Sequence, residues 1–227
     1  GYIGFPLLSA YTVIIYTYFI RILILWDWPS NMLVNMVLWY TAIGALALYF
    51  MRTQGMQNRW FSFFDRWYPR FTVLPIALMF AGLFIRINQY GFTEPRYGVL
   101  VLGIWVTSVT LLLIFTKPER RRNVIAPALL AALAVVSVLG PINAFAVSKN
   151  SQNARLESYL SRNGMLSAQG CIQPNPDAPA EDQREIYAVL DYFRNRHSLS
   201  DVRALKEVPK EENFAALLGF ERPISAD

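Results

Sequence analysis

The sequence predicts an all-α fold: a polytopic transmembrane helical bundle with a small helical extramembrane tail at its C-terminus. Three observations carry that prediction. The 227 residues are 54% hydrophobic and 15% aromatic, with a mean hydropathy of +0.28, too apolar for one soluble domain. Five windows carry at most one charged residue each, and each has about the 20 residues that a helix needs to cross the hydrocarbon core. Charge is also divided: residues 1–147 hold 11 basic and 4 acidic side chains, a net +7, whereas residues 148–227 hold 10 and 12, a net −2. The membrane region is therefore expected over 1–147 and the tail over 148–227. The pI of about 9.4 reflects membrane-flanking arginines, and no nucleic-acid partner is expected.

The expected spans are 6–26, 32–51, 71–90, 97–115 and 124–146. Between the second and third, Trp60, Phe63, Phe64 and Trp67 recur at i, i+3, i+4, i+7 among Arg52, Arg59, Arg66 and Arg70. That spacing predicts a short helix near 57–69 lying in the headgroup region and drawn to anionic lipid. A hairpin whose aromatics pack against the spans is the alternative. Small residues spaced by four, Ala77 with Ala81 and Ala128 with Ala132, offer close helix approach. Gly140-Pro141 should kink or end the fifth span.

Arg86-Ile-Asn-Gln-Tyr-Gly-Phe-Thr-Glu-Pro-Arg-Tyr97 joins the third and fourth spans. Gly91 can supply the positive-φ residue that ends one helix, and Thr93 can cap the next. Pro95 then falls in the first turn, where a missing N–H costs little. Arg86, Glu94 and Arg96 sit close together beside hydrocarbon, where an unpaired charge is expensive, so an ion-paired, hydrogen-bonded corner is expected.

The tail changes character. Residues 148–164 read as an amphipathic helix with Leu156, Tyr159 and Leu160 on one face, stopped by Asn163-Gly164. A proline-containing linker, 167–179, leads to a second helix, with Glu181, Asp182 and Glu185 near its start and Arg194 and Arg196 near its end, as the helix dipole favours. Ser200 can cap a shorter helix carrying Val202 and Leu205, and 214–220 is a last apolar run. So few core residues predict a tail that leans on the membrane region or a partner.

Orientation follows from short connections. Arg52, Arg59, Arg66, Arg70, Lys117, Arg120, Arg121 and Arg122 fall on one side, against Arg21, Arg86 and Arg96 on the other. The positive-inside rule puts the first group in the cytoplasm and the tail outside it. Gly1 is not an initiator and no signal peptide follows it, so the chain is expected to begin within a longer protein.

Two polar blocks carry a family resemblance. Arg86 to Tyr97 with the apolar run after it, and Gly140-Pro141, Ala144-Phe145, Val147-Ser148, Ser151-Gln152, Arg155-Leu156 and Gly164, resemble signatures of the bacterial polytopic membrane family catalogued as domain of unknown function 4153. Tyr192 and His197 fit a looser tyrosine-to-histidine pattern of that family, with Ser198 where a glycine is expected. The resemblance implies a longer parent in the bacterial inner membrane and implies no activity.

Catalytic patterns are absent from the sequence. One histidine, His197, and one cysteine, Cys171, close neither a nucleophilic triad nor a zinc site. No phosphate-binding or dinucleotide glycine pattern occurs, and haem or iron–sulfur ligation lacks residues. No cofactor, metal or catalytic residue is predicted. The candidate structural or ligand cluster is Arg21, Arg86, Asn88, Glu94 and Arg96, and the candidate lipid contacts are Arg59, Trp60, Arg66, Trp67, Arg120, Arg121 and Arg122. The expected partners are an anionic bilayer and other membrane proteins. The expected role is a non-catalytic scaffold, sensor or accessory subunit of an envelope complex, with a transporter or lipid-handling protein as the alternative.

Overall fold

The structure, a computed structural model, describes residues 4–25, 31–53, 59–117, 120–122, 124–167, 170–205 and 214–223. Two compact units make up the chain: Gly1–Tyr90 with Glu94–Ala144, and Gly91–Thr93 with Phe145–Asp227. Gly91–Thr93 belong to the second unit although they lie in sequence between helices of the first.

The first unit holds α1 (Gly4–Leu25), α2 (Asn31–Thr53), α3 (Arg59–Tyr90), α4 (Glu94–Phe115) and α5 (Ile125–Leu139). Among the described residues, three helical stretches are long and apolar enough to cross a membrane: Val34–Arg52, Phe61–Tyr90 and Glu94–Phe115. A fourth is added if the helices on either side of 140–143 are one broken span, and the apolar Pro6–Ile22 stretch of α1 is shorter. The expectation of about five spans is thus an approximate count. Of the turn expected at 27–31 between the first two spans, residues 27–30 lie outside the described residues and Asn31 begins α2.

The expected interfacial helix and third span form one 32-residue helix, α3, that runs through Pro69 and Pro75. Pro75 cannot donate to the carbonyl of Phe71, four residues earlier, and in an apolar setting that oxygen needs another donor. Tyr16 supplies it, its hydroxyl donating to Phe71 O at 2.9 Å. The helix can therefore continue where a chain in water would tend to break.

Packing in this unit runs through Ile15 and Phe19 of α1, Val37, Leu38 and Leu48 of α2, Met79 and Leu83 of α3, and Trp105, Val106 and Val109 of α4. Polar groups within it are paired. Thr12 Oγ1 and Tyr40 Oη lie 2.5 Å apart, and Tyr68 Oη donates to Tyr40 O at 2.8 Å. Close approach occurs at glycines: a Cβ at Gly44 would overlap the Tyr68 ring and hydroxyl, and one at Gly103 would meet Met79 Cε at 2.9 Å. Of the alanine pairs, which could equally be a packing seam or ordinary apolar filler, Ala77, Ala128 and Ala132 are exposed, so they pack no seam within this unit. Large side chains elsewhere on these helices face outward, Trp39 at 61% exposure and Phe115 at 81%, as a lipid-facing surface would.

The kink or end expected at Gly140-Pro141 falls at the end of α5. α5 stops at Leu139, Gly140 N donates to Val136 O, and Asn143 returns both its N–H and its side-chain amide to Gly140 O at 3.1 and 3.0 Å.

The second unit is built on α6 (Ala144–Arg162), α7 (Ala180–Arg196) and α8 (Phe214–Leu218), with 3-10 turns at Leu199–Asp201 and Arg203–Leu205. Leu156, Leu160, Met165, Ile186, Val189, Leu190, Phe193, Val202 and Leu218 are buried together, so the unit has a core of its own. The stretch expected as a linker contributes to that core through Ile172 and Ala178, and Asn175 N donates to Leu218 O at 2.9 Å. Gly164, at φ +64, ends α6 as expected. Ser198, rather than Ser200, caps the segment after α7: its Oγ accepts from Ser200 N at 3.3 Å, leaving 3-10 turns where a short α-helix was expected.

Candidate functional site

Gly91 adopts φ +70, the left-handed conformation that ends α3. The next residue, Phe92, is gripped at both backbone groups. Its N–H donates to Ser151 Oγ at 2.8 Å, and its carbonyl accepts from Gln152 Nε2 at 2.8 Å. A Cβ at Gly91 would lie 3.0 Å from both of those side-chain atoms, so the glycine is required for space as well as for φ. Asn153 does similar work for another segment: its Oδ1 accepts from Arg203 N at 2.8 Å and its Nδ2 donates to Asp201 O at 3.0 Å. Three consecutive polar residues of α6 thus satisfy backbone groups on two segments remote in sequence. Gln152 and Asn153 are buried, where an unsatisfied polar group would be costly.

Charged residues of this unit are likewise held by one another. Asp182, at the start of α7, receives Arg162 and Asn163 Nδ2, the latter at 2.7 Å, and Arg155 pairs with Glu185. Lys149 Nζ lies 2.9 Å from Asp201 Oδ2. Its hydrogen bond and positive charge, with a backbone bond from Ser198, hold the Asp201 carboxyl below its ordinary 3.8. Tyr192 Oη and His197 Nε2 are hydrogen-bonded at 2.9 Å, with Phe145 and Phe193 against the imidazole.

Around Arg86, two members of the expected cluster meet on one ring. Arg86 and Arg96 both set their guanidinium groups over the Tyr90 ring, at 5.6 and 5.4 Å, and Arg96 Nη1 donates to Tyr90 O at 3.3 Å. Tyr90, a residue not expected in the cluster, is thus its meeting point. Glu94 is half-buried in the first turn of α4, where the helix dipole favours a carboxylate. Asn88 is exposed, and Arg21, exposed on α1, shares no hydrogen bond, ion pair or ring contact with the others among the described residues.

Among the candidate lipid contacts, Arg59, Arg66, Trp67, Arg120 and Arg122 are exposed, and the Trp60 side chain lies outside what the structure describes. Arg121, by contrast, turns inward, at 11% side-chain exposure. Its Nη1 meets Asp65 Oδ2 at 2.7 Å, its Nε donates to Thr116 O at 2.7 Å, and its Nη2 donates to Leu113 O. Asp65 receives Arg52 on its other oxygen. Asp65 sits in the aromatic stripe, which is split by burial: Phe64 faces the core, whereas Phe63 and Trp67 are outside. A single carboxylate between aromatics and arginines was the one available signal for this pairing.

No solved structure matches the chain. Over 169 residues it is 27% identical to an uncharacterized protein of Pasteurella multocida (strain Pm70), a stretch that is 74% of this chain and 28% of that relative. The chain therefore spans less than a third of the relative's length. The family model described as a domain of unknown function, DUF4153, matches residues 2–170, a range containing both Phe92 and the Ser151-Gln152 pair that grips it, and the chain belongs to that family.

Proposed function

We propose that this chain is part of a non-catalytic scaffold or accessory subunit of an envelope membrane complex, which holds a folded helical unit at one membrane face for other envelope proteins. The observation that carries the reading is the use made of three consecutive polar residues of α6, 151–153. Ser151 and Gln152 are spent on the backbone of Phe92, and Asn153 on that of 201–203, which is the work of a structural joint. The separate core of the second unit supports the same reading, because a unit that folds around its own interior leaves its outer faces for partners. The basic connections around Arg59, Arg66 and Arg120 favour a cytoplasmic placement in a bacterial inner membrane, and thus a tail on the opposite side.

The alternative, a transporter or lipid-handling protein working through Arg21, Arg86, Glu94 and Arg96, draws less support, since Arg86 and Arg96 are engaged with Tyr90 and Arg21 stands on α1 without them. Purification of the full-length protein in native nanodiscs, followed by mass spectrometry, separates the two. A stoichiometric protein partner that is lost when surface residues of α7 are changed is expected. A stoichiometric small molecule with no protein partner, released by Arg86→Ala, would reverse the preference.

A further inference from the structure

A cavity of about 60 Å3 lies in the first unit, among α2, α4 and the start of α5. That is room for several water-sized groups, the size of a phosphate head and far less than a whole lipid. Its lining combines two chemistries: Leu48, Val109 and Leu113 are apolar, and Arg52, Arg121 and Arg122 bring three guanidinium groups. One carboxylate, Asp65, pairs with Arg52 and Arg121, so the described residues leave a charge of +2 there. The side chains of Arg52 and Arg121 are only 16% and 11% exposed, which strengthens their pull on an anion.

The three arginines are not equivalent. Arg121 is pinned in place by Asp65, Thr116 and Leu113 and so positions the others' surroundings. Arg52 gives one bond to Asp65, and the Arg122 side chain, exposed at the rim, carries no bond among the described residues. Both retain donors in the planar fork that suits phosphate oxygens. Leu112, at 37% exposure, and Ile125, at 42%, carry the apolar lining out to the helix surface, which gives hydrocarbon a path away from the arginines.

We propose that this cavity binds a phosphate-bearing anionic amphiphile, with Arg52 and Arg122 donating to the phosphate and Arg121 held as a positioning residue by Asp65. The site does not depend on the scaffold role. Its test places the whole chain in nanodiscs of phosphatidylcholine containing a minority of phosphatidylglycerol, and reads the lipids that stay bound by native mass spectrometry. Phosphatidylglycerol should be retained preferentially, and Arg122→Gln should reduce that preference by about tenfold with an unchanged melting temperature. Arg120→Gln, exposed but outside the lining, should leave it intact. Inorganic phosphate added to discs of phosphatidylcholine alone distinguishes the source: thermal stabilisation that Arg122→Gln abolishes, with no preference for phosphatidylglycerol, would make the occupant a soluble phosphate and overturn the proposal, whereas its absence alongside lipid preference supports a lipid. Absence of both effects, or equal losses in the Arg120 and Arg122 variants, would overturn the proposal.

Discussion

Gly44 and Tyr68 show how one side chain decides a helix contact. The Tyr68 hydroxyl reaches the Tyr40 carbonyl on α2 by occupying the space that a Cβ at position 44 would fill. Gly44→Ala must therefore displace a buried ring or spread two helices, although alanine is the better helix former. A loss of about 1–3 kcal/mol is expected, read as a lower melting temperature in detergent. An unchanged or raised melting temperature would show that α2 and α3 do not meet there. The sequence gives no sign of this pair, because Gly44 looks like ordinary apolar filler. Gly91 was readable, by contrast, since a positive-φ stop between an apolar helix and a Thr-x-Pro start is a local rule.

Among the helices, α3 is the clearest departure from local rules. Two prolines and a charge-rich start argue for a break near residue 70, yet one helix runs from Arg59 to Tyr90 because Tyr16, 55 residues before Phe71 in sequence, takes up the carbonyl that Pro75 frees. Tyr16→Phe should cost about 1 kcal/mol and raise amide exchange in the turn around Pro75 more than elsewhere in α3. Uniform exchange along α3 in that variant would count against this explanation. α6 teaches the converse lesson: its extent was legible from amphipathic spacing and from Asn163-Gly164, whereas its partners were not. Ser151 and Gln152 contact Phe92 from 59 and 60 residues away, and Arg121 contacts Asp65 from 56. Periodicity reports which face of a helix is apolar, and says nothing about which distant backbone its polar face will satisfy.

For the molecule as a whole, composition and hydropathy were enough to identify an all-α chain with apolar helices long enough to cross a membrane, because burial in lipid demands long uncharged windows. They were not enough to show that the tail carries its own core, since that core gathers residues from the stretch read as a linker. Acid should test the second unit. Asp201 has a folded pKa below its ordinary value, so in the window between the two the unfolded chain binds the extra proton, and stability falls as pH drops through it. Amide exchange in 199–205 is expected to quicken, relative to the intrinsic rate, as pH falls through 3.8 and below, and Lys149→Met should flatten that dependence. A dependence of equal size in the variant would assign the acid sensitivity to other carboxylates.

Gly91 bends the chain, and Ser151 with Gln152 hold the bend by the backbone of Phe92, as the proposed joint requires. The most direct measurement is hydrogen exchange at the Phe92 amide, in the unaltered chain and in Ser151→Ala. Protection in the former, lost by about tenfold in the latter while the Phe193 amide is unchanged, is the expected result. An unprotected Phe92 amide in the unaltered chain, or one indifferent to Ser151→Ala, would contradict the joint and release those polar residues for another role.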